Sequence, residues 1–190
     1  PGAVPVSVEE EIDRVVPVIS EVSRALELPI SIDTYKAKVA EAALAHGAAF
    51  VNDVSAASWD PAMPVLLAEV GCPAVLMHMR GTPRDMQTNT SYDDLMGEVC
   101  GYLASRVDAL VAAGVDERML IVDPGIGFAK TAAQNLEILR RLREFKCLGR
   151  PILVGASRKY TIGKVLGNLP PEERMEGTAA TVALSIAGGA

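Results

Sequence analysis

Five apolar runs, each ending in polar residues and each followed by a helical pattern, constrain this chain more than any other feature. They are Pro29-Ile-Ser-Ile-Asp33, Ala49-Phe-Val-Asn52-Asp53, Pro73-Ala-Val-Leu-Met77-His78-Met79, Met119-Leu-Ile-Val-Asp123 and Pro151-Ile-Leu-Val-Gly-Ala-Ser157. Ahead of them, Ser7-Val-Glu-Glu10 forms a capping box, and Ile12, Val15, Ile19, Val22 and Leu26 recur at helical spacing. Pro17 falls inside that helix and is expected to kink it, because it lacks a backbone donor. Further helices are predicted over 36–46, 62–70 and 92–113, the last with Ser91 and Asp94 at capping positions. A second capping box, Thr131-Ala-Ala-Gln134, opens another, and a final helix is expected over 178–186.

Alternating strand and helix favours parallel strands joined by right-handed crossovers. Near-continuous apolar strands imply that both sheet faces are covered. No Gly-x-Gly-x-x-Gly turn follows the first strand, so a dinucleotide-binding fold has no positive signal. Five βα units fit either an open sheet or part of an eight-stranded barrel, and periodicity does not choose between them.

A chain of 190 residues is long enough for a single domain, 1–190, with its own core. At 49% hydrophobic and 22% charged residues, disorder is excluded, and 4% aromatics require an aliphatic core. A net charge of -6 with no Lys/Arg-rich run argues against nucleic acid as a partner. Cys72, Cys100 and Cys147 lie far apart without a CxxC or Cys/His cluster, so no disulfide framework or zinc site is expected. That usage fits a reducing cytoplasm, and the absence of a long apolar run or signal peptide argues against a membrane. The chain opens Pro1-Gly2-Ala3 without methionine and stops within an apolar segment at Gly188-Gly189-Ala190, so an internal fragment is expected.

The strand ends carry the chemistry. Asp33, Asn52, Asp53, Met77, His78, Asp123, Ser157 and Lys159 would gather at the C-terminal edge of a parallel sheet, where barrel enzymes build their sites. A buried carboxylate there needs a partner, and Lys159 is the obvious cation. Each residue also has a plainer reading. Asp33 and Asp123 could cap the helices that follow, and Asn52-Asp53 could be turn chemistry. Met77 could be core, Arg158 and Lys159 a solvated pair, and His46 a helix end. His78 is best read as a hydrogen-bonded core histidine. Together, two carboxylates, an amide and a lysine suit a planar, donor-rich heterocycle, because a carboxylate accepts two bonds from an N–H/NH2 edge. Gly125 and Gly127 would let the loop lie close to a flat ligand, and Phe128 offers an apolar face.

These residues resemble the dihydropteroate synthase family. The motifs that carry the resemblance are Ser31-Ile-Asp33-Thr-Tyr, Val51-Asn52-Asp53-Val, Leu76-Met77-His-Met-Arg-Gly-Thr-Pro83, Asp123-Pro-Gly-Ile-Gly-Phe128-Ala-Lys130 and Gly155-Ala-Ser157-Arg158-Lys159, in the family's order. The resemblance implies a (β/α)8 TIM barrel, present here in part, as about five βα units lacking the first and last strands. It implies the joining of 6-hydroxymethyl-7,8-dihydropterin diphosphate to 4-aminobenzoate, releasing diphosphate, in folate biosynthesis. Asp33, Asn52, Met77, Asp123, Gly155 and Lys159 would contact the pterin, with Lys159, Asp33 and Asp123 acting in catalysis. Pro83, Phe128, Ser157 and Arg158 would serve the aminobenzoate and the diphosphate. Mg2+ would neutralise charge on the departing diphosphate, its main ligand lying in an N-terminal loop outside this sequence. A cytoplasmic homodimer is also implied.

Tyr160 departs from the serine that many family members carry after the lysine, which removes one contact to the aminobenzoate carboxylate. Two other readings remain: a pterin-binding methyltransferase domain using methyltetrahydrofolate, and a non-catalytic barrel homologue that scaffolds a partner.

Overall fold

A computed structural model describes residues 5–82 and 85–190. Its main elements are α1 (Val8–Ala25), β1 (Ser31–Asp33), α2 (Ala37–Ala45), β2 (Phe50–Asp53), α3 (Met63–Val70), β3 (Ala74–Met77), α4 (Leu95–Ala112), β4 (Leu120–Asp123), α5 (Ala132–Arg140), α6 (Tyr160–Val165) and α7 (Met175–Gly188). The residues pack as two compact units, 5–77 with 105–121, and 78–104 with 122–190.

The first unit is built on parallel strands in the order β1-β2-β3-β4, β4 contributing Leu120 and Ile121 here. Ile32 pairs with Val51 and Asp33 with Asn52, while Asn52 lies opposite Val75 and Asp53 opposite Leu76. Every residue of β3 is buried, as expected of a strand covered on both faces. Small aliphatic side chains fill the core: Val39, Ala40 and Ala43 of α2, Met63 and Leu67 of α3, and Val51 and Val75 of the sheet. Pro17 lies inside α1, which runs helical to either side of it, and Ser7 accepts the Glu10 N–H at 3.1 Å.

After β2 the chain turns through a loop with two alanines in the left-handed region, Ala56 at φ 53° and Ala57 at φ 55°. Non-glycine residues hold that conformation only where surrounding contacts compel it. The contacts come from two sides. The buried Asp53 carboxylate accepts the N–H groups of Ser55 and Ala57, and Arg106 donates to the carbonyls of Ala56 and Ala57 at 2.9 and 3.0 Å.

In the second unit, Val99, Leu103, Ile138, Leu142 and Phe145 form the core. The strand expected over 151–157 is corrected here: only Ile152 bridges Val122 in parallel, with the Leu153 N–H on the Val122 carbonyl at 2.9 Å. Pairing stops there, and the chain bends into a turn at Ser157-Arg158 before the short helix α6, which sequence periodicity does not reveal. The final helix starts at Met175, ahead of the expected 178.

The Thr131 capping box is complete. Its hydroxyl accepts the Gln134 N–H at 3.2 Å, and the Gln134 side chain accepts the Thr131 N–H at 2.8 Å. Thr131→Ala is therefore expected to lower stability by about 1 kcal/mol, read as a reduced urea midpoint of the full-length protein. An unchanged midpoint would show that the cap contributes nothing.

Candidate functional site

The two units each present polar groups at strand ends. In the first, the parallel register sets Asp33 beside Asn52, and the Asn52 amide donates to the Asp33 carboxylate at 3.3 Å. Asp33 is exposed and Asn52 half-buried, so an acceptor and an amide stand side by side at the sheet's end. The turn chemistry falls to Asp53, whose side chain is spent on Ser55 and Ala57. Burial pushes the Asp53 carboxyl above its ordinary value, against those hydrogen bonds. Met77 closes β3 and is buried.

In the second unit Asp123 ends β4 and is 6% exposed. Its Oδ1 accepts the Gly125 N–H at 2.7 Å. Burial raises its carboxyl from 3.8 to about 6, opposed by that hydrogen bond and by the charges of Lys159 and Lys130. Neither Asp123 nor Asp33 caps a helix: Thr131 opens α5, and Lys36 stands at the start of α2. The plainer reading of Asp123 holds only for the turn.

That turn depends on glycine twice. Gly125 has φ 73°, and a Cβ there would lie 2.0 Å from the His78 carbonyl oxygen. Gly127, at φ 86°, lies against the Lys159 side chain. The Lys159 ammonium sits over the Phe128 ring, 4.3 Å from its centroid, a cation–π arrangement. At Gly155 a Cβ would meet nothing within 4 Å. Ser157 and Arg158 are exposed, and Arg158 is left-handed at φ 48°. Thr178 accepts its N–H at 3.0 Å and Arg174 donates to its carbonyl at 3.0 Å, which fixes the backbone. Tyr160 is exposed at the start of α6. Pro83, expected beside the aminobenzoate, lies outside the described residues.

The principal residue missed by sequence reasoning is Lys130, fully buried at 2% exposure. Its ammonium reaches His78 Nδ1 at 3.0 Å and the carbonyls of Phe128 and Gly125 at 3.0 and 3.1 Å. Burial pulls it down to about 7, while Asp123 holds it up. When Lys130 is charged it only donates, which assigns His78 Nδ1 as acceptor and the proton of the neutral ring to Nε2. Burial and the Lys130 charge depress His78 to about 3. The histidine is thus the hydrogen-bonded core residue expected, packed edge-on against Tyr102. The only signal for Lys130 in the sequence is the uncharged run 124–129 before it. His46, as expected, ends α2. Among the described residues no group of three His, Cys, Asp or Glu side chains is placed to hold a metal ion, and no helix is long and apolar enough to cross a membrane.

Each unit thus ends a parallel strand in polar groups, a carboxylate–amide pair in the first and a buried aspartate beside a glycine turn in the second, within an α/β fold. The family described as pterin binding enzyme matches residues 1–190, and the chain belongs to that family. It is 49% identical over 190 residues to the dihydropteroate synthase of Synechocystis and 48% identical over 189 residues to that of Bacillus subtilis. It is covered completely by each but spans only 66% and 64% of their lengths. The structure of Xanthomonas albilineans dihydropteroate synthase with 4-aminobenzoic acid matches with a TM-score of 0.93 at 43% identity, covering 100% of this chain and 67% of that one. The complex of that enzyme with 7,8-dihydropteroate matches at 0.91 and 41% identity, covering 97% and 67%. The fold is therefore α/β and matches part of the synthase barrel.

Proposed function

We propose that the full-length protein is a dihydropteroate synthase, a transferase that joins 6-hydroxymethyl-7,8-dihydropterin diphosphate to 4-aminobenzoate and releases diphosphate. The observation that carries this reading is Asp123: a carboxylate buried at a strand end, beside a glycine turn, with a lysine charge to balance it. Relatives of that name at 40–49% identity support it.

The chemistry is a displacement at the methylene carbon attached to the pterin ring. Asp123 and Asp33 accept from the ring's N–H and NH2 groups, Asn52 and Lys159 donate, and Met77 packs against the ring. Gly155 leaves space for it, in keeping with the open volume at its Cα. Hydrogen bonds that fix the ring stabilise an electron-poor methylene as the diphosphate leaves. A neutral arylamine then attacks, so no activated protein nucleophile is required. Phe128 flanks the arylamine, and Ser157 and Arg158 serve the anionic groups. With Tyr160 after the lysine, the aminobenzoate carboxylate loses a serine hydroxyl and keeps the backbone N–H.

Mg2+ belongs to the same proposal: it would neutralise charge on the departing diphosphate. The described residues do not gather a ligand set for it. A single pterin-binding domain over 1–190, a homodimer and a cytoplasmic setting belong to the same proposal.

The decisive assay follows the products. Full-length protein given the pterin diphosphate and 4-aminobenzoate is expected to release diphosphate and form dihydropteroate. No diphosphate, or methyl transfer from methyltetrahydrofolate instead, would overturn the assignment.

A further inference from the structure

Lys130 takes no part in the chemistry just described, yet its surroundings are unusually specific. The Gly125–Phe128 turn closes on itself through the Phe128 N–H and the Gly125 carbonyl, 3.1 Å apart. The Gly127 N–H is held by Asn135 Oδ1 at 2.9 Å. The two carbonyls at the ends of the turn, Gly125 and Phe128, both accept from Lys130 Nζ. The same ammonium reaches His78 Nδ1 at 3.0 Å and its carbonyl at 3.5 Å. The backbone of His78 is itself tied to β4, its N–H donating to the Asp123 carbonyl at 2.9 Å. One buried cation therefore joins the turn to the segment that flanks Asp123.

We propose that Lys130 is a positioning residue, whose buried ammonium fixes the Gly125–Phe128 turn against His78 so that Phe128 stands as a rigid wall for the arylamine. The role assigned to Phe128 rests on the synthase reading above; the fixing of the turn does not.

The physical basis is that every group around Nζ is an acceptor. Two turn carbonyls, the His78 carbonyl and an imidazole nitrogen converge on it at 3.0 to 3.5 Å. A lysine elsewhere on the surface exchanges its partners with water, but here its removal leaves buried acceptors unsatisfied. The turn must then open to reach solvent, carrying Phe128 with it. Asp123 keeps its own bond to the Gly125 N–H and its other counter-charge, Lys159, so the pterin contact is disturbed less than the wall.

The test uses the full-length protein and Lys130→Met, which keeps the length of the side chain and removes its donors. The KM for 4-aminobenzoate is expected to rise about tenfold or more, and by clearly more than the KM for the pterin diphosphate, because displacement of a positioning group by about 1 Å has effects of at least this order. Equal rises for both substrates, or a loss of thermal stability with neither KM altered, would overturn the proposal. Amide hydrogen exchange at Gly127 and Phe128 is expected to quicken in the variant whether or not the protein makes dihydropteroate. Unchanged exchange refutes the positioning role, whereas failure of the parent to release diphosphate refutes only the synthase reading. Should Lys130→Met not fold, Lys130→Gln and the unaltered protein give the answer. In the latter, 1H–15N spectra selective for lysine Nζ, recorded well below pH 7 where Lys130 is charged, should show one slowly exchanging ammonium that is absent from Lys130→Gln. An ammonium exchanging as fast as the surface lysines overturns the proposal.

Discussion

Replacing Asp123 by Asn in the full-length protein is expected to weaken pterin binding by about 2 kcal/mol, roughly 30-fold, the value of a hydrogen bond to a charged group. Asparagine keeps an oxygen for the Gly125 N–H, so the turn survives while the charge and one acceptor are lost. The substitution should act on stability in the opposite sense. With the folded carboxyl raised to about 6 from an ordinary 3.8, the unfolded chain ionises first as pH rises. Between those values the folded state holds a proton that the unfolded state has released, so stability falls as pH rises through the window and levels off above it. The penalty at neutral pH is up to about 3 kcal/mol, from roughly two pKa units at 1.4 kcal/mol each. Ligand-free Asp123→Asn should therefore unfold at a higher temperature than the parent at pH 7.5, with the gap closing below pH 4. In the parent, pterin affinity should rise as pH passes upward through about 6, where the carboxylate forms. Calorimetry showing equal pterin affinity in both proteins would remove Asp123 from the site. A variant no more stable than the parent at pH 7.5 would remove the buried charge as a source of instability.

Gly125→Ala is expected to be more damaging. The left-handed backbone alone costs an alanine about 1 kcal/mol, and the added methyl meets the His78 carbonyl oxygen at 2.0 Å, where neither backbone can yield cheaply. A combined loss of about 3 kcal/mol or more is anticipated, with the turn displaced and diphosphate release abolished. Gly155→Ala is the paired control. Its methyl meets nothing within 4 Å, so chemical denaturation should be unchanged to within about 0.5 kcal/mol, while pterin binding falls if the ring needs that space. Near-normal stability of Gly125→Ala would show that the turn relaxes. Unaltered pterin binding by Gly155→Ala would show that the ring lies elsewhere.

The contrast between these residues shows what a sequence of this kind can reveal. The alternation of apolar runs and helical patterns located four strands to within one or two residues at most ends, because the spacing of buried side chains is a local property. Parallel strands imply that Asp33 and Asn52 share one sheet edge; that they lie directly opposite each other is visible only in the register. The run 151–157 was misread for an equally physical reason. Ile, Leu and Val favour an extended backbone, but a strand requires hydrogen-bonded neighbours, and pairing with β4 is limited to 151–153 around Val122. Helix α6 is short and carries β-branched residues and a glycine, which leaves too little periodicity to detect. Lys130 was illegible because a lone lysine normally seeks solvent. Only the folded chain shows four acceptors already arranged around it.

The loop after β2 has a consequence for the order of folding. Its left-handed alanines are held on one side by Asp53, a few residues away, and on the other by Arg106, 50 residues beyond Ala56. Chain closure over such a span has an entropy that local turns do not face. During synthesis the strands before this loop are made well ahead of the arginine that completes it. Until Arg106 is in place, the Ala56–Ala57 corner has only the Asp53 half of its hydrogen bonds. Arg106 of α4 thus completes a loop laid down far earlier in the chain, although that helix contributes no proposed substrate contact.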